Sequence, residues 1–241
     1  MEQTKNTKKV LNKKKQSKVF VVIPCHNEEK NIYKLVKEVK KYCSNIIVAD
    51  DNSQDRTLQE ALRAKAWIVT RKNTFKKGKG KGFIARVGCN YAVQKGAEKI
   101  IIMDGDFQHK PSEIPKFLEE LTNNDLVLSH RKWDENMPFK AKLGNWGVNL
   151  WLNVLFWIKL KDSQSGFKAF TKETYEKIKW TADDYFMETE IALKIKKKGL
   201  VYSQIPIQTI YLDAKKGTSW SHGFSILKQM FKWRFKLWFN K

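Results

Sequence analysis

Along the first half of the chain, short apolar runs alternate with segments whose apolar residues recur at helical spacing. Residues 19–23, 46–49, 67–70, 100–103 and 125–129 are short runs dominated by apolar residues, the mark of strands buried within a sheet. Between them, residues 31–42, with Ile32, Leu35, Val36 and Val39 on one face, predict a helix, as do residues 57–65, 83–95 and 112–121. Strand and helix in regular alternation predict an α/β fold with a mostly parallel sheet flanked by helices. The second half is less regular. The latter part of residues 138–160 reads as a helix apolar on most faces, which belongs either to the core or to a membrane interface. Residues 162–168 form a polar turn before a short strand, residues 182–198 a helix closed by Gly199, and residues 201–212 an extended stretch around Pro206. On a last helix over residues 224–241, Phe224, Leu227, Phe231, Phe235 and Trp238 share a face. Ile226, Met230, Trp233 and Leu237 widen that face, and Lys228, Lys232 and Lys236 stack on the other side. An aromatic face bordered by lysines suits a helix lying in a membrane interface; docking on the protein's own core is the alternative. The organisation expected is a flexible basic arm over residues 1–18, one domain over 19–215 and an amphipathic C-terminal segment over 216–241.

Composition adds one strong constraint. The 47 Lys and Arg against 25 Asp and Glu leave a formal net charge of +22, which calls for a polyanionic neighbour: nucleic acid, an anionic lipid surface or a diphosphate. No helix-turn-helix, zinc or RNP-type motif accompanies the charge, so nucleic acid is not expected. A hydrophobic content of 41% excludes a disordered chain. Cys25, Cys43 and Cys89 lack metal-type spacing and read as structural thiols in a reducing compartment. The lysine-rich N-terminus has no apolar core behind it, so no signal peptide is expected. No apolar run reaches the ~18–20 residues of a membrane span.

The polar residues at strand ends carry the chemistry. The strand 100–103 runs straight into Asp104-Gly105-Asp106, with Gln108 and His109 close behind. Two carboxylates there repel each other unless a cation sits between them. Mg²⁺ or Mn²⁺ carrying a diphosphate meets that need with hard oxygen ligands. The strand 46–49 also ends in acids, Asp50 and Asp51, so two acidic strand ends share one sheet edge, where open α/β sheets bind ligands. Glu28 follows the first strand and is placed to hydrogen-bond a ribose or base. The lysine–glycine loop over residues 76–82 is not a P-loop but precedes a helix whose N-terminus can meet an anion. His130, Arg131 and Lys132 close the strand 125–129 with the opposite sign, so a diphosphate held by a metal on one side and an arginine on the other explains both ends.

The segments VVIPCHNEEKNI, IIVADDNSQDRT, GKG at 80–82, IIIMDGDFQHKP, SHR at 129–131, DSQSGFKAF and METEI occur in the order and spacing of family 2 glycosyltransferases. The chain resembles their dolichyl-phosphate mannosyltransferase-like, polyprenyl-phosphate branch. The resemblance implies a single-domain, Rossmann-like GT-A fold, a nucleotide-sugar donor, a divalent metal and a polyprenyl-phosphate acceptor. It implies metal binding by Asp104, Asp106 and Gln108, with Arg131 facing the phosphates. It further implies donor contacts from Pro24, His26, Glu28, Asp50, Gly105 and Lys81, and an acceptor side at Ser165 and Gly166 with Lys140 and Lys142. A peripheral enzyme on the cytoplasmic membrane surface is expected. A soluble or polysaccharide acceptor is the alternative; it needs a carboxylate base, for which Asp183, Asp184, Glu188 and Glu190 are candidates. Residues 215–220 replace the mannosyltransferases' Arg-x-x-Gly-Glu-Ser-Lys motif with other residues, so the donor sugar stays open.

Overall fold

Val19–Cys25 (β1) is buried at every position, which follows from its uninterrupted apolar run: a strand with helices on both faces has no polar side. In the computed structural model, which describes residues 18–71, 78–131, 139–208 and 220–239, β1 lies near the middle of a seven-stranded sheet. Asn45–Asp50 (β2) and Trp67–Thr70 (β3) extend it to one side. Lys99–Ile102 (β4), Lys168–Thr171 (β6), Leu126–Arg131 (β5) and Tyr202–Ile207 (β7) extend it to the other. The order is β3-β2-β1-β4-β6-β5-β7. All pairings are parallel except those of β6, which runs antiparallel between β4 and β5. The order reverses between β1 and β4, and the crevice above such a reversal is where α/β sheets hold ligands.

Alternation along the strands splits the core into two layers. Val21, Ile23, Val48 and Ile101 face the helices Ile32–Val39 (α1) and Ile114–Glu120 (α4). Phe20, Val22, Ile47 and Ile102 face Lys81–Gln94 (α3) and Trp180. Thr57–Arg63 (α2) joins β2 to β3, and Lys172–Ile178 (α6) follows β6. Phe139–Phe156 (α5), Phe186–Lys197 (α7) and Trp220–Phe239 (α8) build a third cluster around Leu152, Phe186 and Met230. The three cysteines are buried and free, as expected. Among the described residues no helix is long and apolar enough to cross a membrane.

Several boundaries differ from the pattern. The helix expected over 112–121 is a 3₁₀ turn, Pro111–Glu113, followed by α4 with Pro115 in its first turn, because proline is tolerated there and not deeper. The helix expected from 182 starts at Phe186, since Ala182 and Asp183 spend their carbonyls on α3: Arg86 donates to Ala182 O and Phe83 N to Asp183 O. Of the expected extended stretch, β7 spans Tyr202–Ile207, and residues 209–212 lie outside the described residues. Residues 1–17, Lys76, Lys77, Lys132 and residues 209–219 lie outside the described residues, as does the side chain of Lys140.

Both unusual helices are two-faced. On α5, Val148, Leu152 and Phe156 are buried, while Leu143, Trp146, Leu150 and Val154 form an exposed stripe at the three- and four-residue spacing of one helix face. Trp157 continues it at 74% exposure. On α8, Ile226 and Met230 dock against α5 and α7, whereas Phe231 and Phe235 stay exposed. The buried line is thus the flank of the aromatic face and not its centre.

Candidate active site

Asp104 follows β4 and has a basic side chain beside each oxygen. Lys81, the first residue of α3, places Nζ 2.8 Å from Asp104 Oδ1 and 3.4 Å from Glu188 Oε1 on α7. His109 Nε2 is 3.7 Å from Asp104 Oδ2. Burial works to raise the Asp104 carboxyl, but Lys81 and His109 hold it well below the usual carboxylate range. Lys81 is shifted the other way, up, because Asp104 outweighs its burial. Asp106 accepts the Gln108 N–H at 3.0 Å, and burial together with the Asp104 charge raises its pKa. Behind this layer Lys168 donates to Glu188 Oε2 with both side chains buried. Burial, then the charge of Lys81, pushes the Lys168 ammonium down. Among the described residues no three His, Cys, Asp or Glu side chains converge as a self-sufficient metal site. Two carboxylates that already attract an ammonium fit a hard divalent ion whose other ligands come from a diphosphate.

The acceptor-side turn closes over the same point. A Cβ on Gly166 would lie 2.0 Å from Asp104 Oδ2, so only glycine lets the turn touch that carboxylate. Ser165 bonds the Ser129 hydroxyl, and Ser129 Oγ donates to Phe167 O at 2.7 Å. Asn149 of α5 anchors the turn, donating to Lys161 O at 3.1 Å and accepting from Ser163 N at 3.0 Å. One turn earlier Asn145 is buried, with neither amide atom hydrogen-bonded among the described residues. Lys142 is half-buried near the start of α5. Arg131 donates Nε and a terminal nitrogen to Asp162 at 2.7 and 3.1 Å, a fork that fixes the guanidinium plane.

Burial would raise Asp162, but Arg131 and the amides of Arg131 and Gln164 lower it. A carboxyl lowered by folding adds stability above its unfolded pKa of about 3.9, and that stability is lost as pH falls through the folded value. Asp162→Asn should therefore cost about 3 kcal/mol at neutral pH, as expected for one partner removed from a buried pair. Melting curves from pH 7 down to 3 should show the variant's deficit shrinking toward acid; a constant deficit would mean that the charge of Asp162 does not matter.

On the nucleoside side, His26 Nδ1 sits 3.0 Å from Asp51 O. The buried Glu28 takes Asn31 Nδ2 at 2.9 Å and donates its own N–H to Thr57 Oγ1 at 2.7 Å. Gly105 packs on β1: a Cβ there would lie 3.0 Å from Cys25 Cβ and 3.3 Å from Pro24 O. Asp50 is only 1% exposed and is occupied by the Ser53 N–H and hydroxyl. Its neighbour Asp51 is the carboxylate that reaches the glycine loop, accepting Gly80 N at 2.8 Å and pairing with Arg71 at 3.2 Å. The structure thus gathers Lys81, Asp104, Gly105, Asp106 and Gly166 at one point, with Pro24, His26 and Glu28 beside it. It adds Asn145, which sequence pattern does not single out, and it shows how Asp51 and Lys168, visible only as parts of an acidic strand end and a polar turn, are engaged. Asn145 has no cue, lying in a helix apolar on most faces.

The pattern of glycosyl transferase family 2 matches residues 20–178, two thirds of the chain and every strand so far tied to the site. The chain belongs to glycosyl transferase family 2. An uncharacterized protein of Methanocaldococcus jannaschii is 32% identical over 94% of this chain and 96% of its own length. The UDP-N-acetylglucosamine–dolichyl-phosphate N-acetylglucosaminyltransferase of Methanococcus voltae is 30% identical over 88% of this chain and 94% of its own. Glucosyl-3-phosphoglycerate synthase from Mycobacterium tuberculosis, solved with Mn²⁺, UDP and glucosyl-3-phosphoglycerate, superposes with a TM-score of 0.71. That match covers 90% of this chain and 80% of the other at 18% identity, a likeness of fold. This family 2 member is a glycosyltransferase with the GT-A architecture, and relatives of the polyprenyl-phosphate type are among its sequence neighbours.

Proposed function

We propose that this glycosyltransferase moves a sugar, with inversion, from a UDP- or GDP-sugar to a polyprenyl phosphate at a membrane surface. The observation that carries the reading is α5. Through Asn149 it holds the turn that packs on Asp104, and on its outer face it carries the stripe Leu143, Trp146, Leu150, Val154. A lipid whose tail lies along that stripe has its headgroup beside the acidic strand end. The exposed Trp157, Phe231 and Phe235 extend the apolar surface, and the charge of +22 suits an anionic bilayer. The exposed face of α8 is part of that membrane face, and the enzyme is peripheral on the cytoplasmic side.

In this reading Asp104, Asp106 and Gln108 hold Mg²⁺ or Mn²⁺, which when bound draws charge from the departing diphosphate. Lys81 adds positive charge at the same edge, and Arg131, its plane set by Asp162, faces the phosphates. Pro24, His26, Glu28 and Gly105 line the nucleoside side, with Asp50 holding the turn beneath them. Ser165, Gly166 and Lys142 form the acceptor side. A phosphate acceptor is already ionised at neutral pH, so no general base is needed. The carboxylates that a soluble alcohol acceptor would call on are engaged: Asp183 by Arg86, Asp184 by Gln229, Glu190 by Thr181, Ala182 and Lys194, and Glu188 by Lys168.

Calorimetric titration with UDP and GDP, each with and without Mn²⁺, should reveal metal-dependent binding of one of them. The matching nucleotide-sugars are then offered with undecaprenyl phosphate in vesicles and with water-soluble acceptors. Transfer to the lipid is expected; equal turnover with a soluble acceptor would sink the lipid reading.

A further inference from the structure

The charged cluster at the end of β4 reaches beyond Asp104 and Asp106. His109, Asp104, Lys81, Glu188 and Lys168 form a line in which acid and base alternate. Lys81 has two carboxylates within reach and bonds only one well, Asp104 at 2.8 Å against Glu188 at 3.4 Å. Glu188 Oε1 is buried and has no hydrogen-bond partner among the described residues, although buried carboxylate oxygens normally have one. Its other oxygen is committed to Lys168. The backbone on either side of Lys81 is pinned. Gly80 N–H is held by Asp51 at 2.8 Å, and a Cβ on Gly82 would lie 2.4 Å from Ala182 O. With the backbone so held, a shift of the Lys81 charge falls to its side chain.

We propose that Lys81 is a resident counter-ion of Asp104 which gives up that oxygen when a divalent cation arrives and passes to Glu188. The Lys81–Glu188 pair would then set how tightly the metal binds before any nucleotide is present. The inference rests on the metal reading of Asp104 and Asp106. An ammonium on Asp104 Oδ1 occupies a position that the incoming ion also wants, and two cations on one carboxylate repel. Without a second partner the displaced ammonium would be a buried, unpaired charge. Glu188 Oε1 removes that penalty at the cost of a rotation about the last side-chain bonds. The approach of Lys81 Nζ to the Tyr185 ring, 5.7 Å from its centroid, adds a second favourable contact on the α7 side.

The test is Mn²⁺ affinity, read by electron paramagnetic resonance with the protein alone and again with UDP, in wild type, Lys81→Met, Glu188→Gln and the double variant. Removing the competitor should tighten Mn²⁺ about tenfold. Removing the landing site should weaken it about as much in the wild-type background and not at all when Lys81 is already Met, a coupling that a double-mutant cycle isolates. Melting in EDTA is an independent measurement: Lys81→Met leaves Asp104 without its ammonium, so adding Mn²⁺ should raise its melting temperature by more than it raises that of wild type. Unchanged or weaker Mn²⁺ binding by Lys81→Met, or equal thermal shifts, overturns the proposal while leaving the metal site in place. Absence of Mn²⁺ binding by wild type even with UDP removes the metal reading itself, and the inference with it.

Discussion

Asp106→Ala should abolish metal-dependent nucleotide binding and lower turnover by about a thousandfold, the scale on which an electrostatic element aimed at the leaving group acts, while leaving the fold intact. The two halves of that expectation come from the same geometry. Among the described residues Asp106 accepts the Gln108 N–H in its own turn and no long-range hydrogen bond, so its loss breaks none of those. Its carboxyl is raised by burial and by the charge of Asp104, so removing it relieves repulsion. A melting temperature equal to or above that of wild type, together with lost Mn²⁺-dependent UDP binding, is the expected pair of results. Undiminished metal dependence would take Asp106 out of the site. A collapse in stability would mean that its role is architectural.

Gly166→Ala is the second large effect, and the reason is steric. The added methyl would stand 2.0 Å from Asp104 Oδ2 and 2.5 Å from its Cγ, well inside contact distance. Either the 162–167 turn lifts away or Asp104 swings off Lys81. Both misplace a ligand by about 1 Å, which costs on the order of a hundredfold, and overpacking adds roughly 1–3 kcal/mol of destabilisation. Gly147→Ala, on α5, is the matched control because a Cβ there meets nothing within 4 Å. Nucleotide titration and melting of the two variants side by side decide it. Wild-type affinity in Gly166→Ala would mean that the turn does not close on the carboxylate in solution.

Much of this architecture is legible in the chain itself, for physical reasons. The runs at β1, β2 and β4 are unbroken because both faces are covered, and β2 and β4 run into acids because the sheet edge is where polarity returns. Asp104 and Asp106 are thus visible before any coordinate is known. Short strands inserted from far away are not. β6 is four residues long and its neighbours lie some 40 and 70 positions earlier, so no local pattern announces its place or direction. The Lys81–Glu188 contact spans two helices and leaves no periodic trace. Asp50 and Asp51 are equivalent on paper, and only burial tells the occupied one from the one that holds the glycine loop. On α5, apolar residues on nearly every face hide the division between Leu152, which is core, and Trp146, which is not.

The antiparallel insertion of β6 also orders events during synthesis. Strands β1 to β4 can join through nearby crossovers as the chain emerges. The Gly166 turn reaches Asp104 only after β6 has slid between β4 and β5, which requires everything through Thr171 to have been made. A nascent or clipped chain ending before that point carries the acidic strand end but not the turn that packs against it. The contact between Asp104 and the Gly166 turn therefore forms late, although its acidic half is made early.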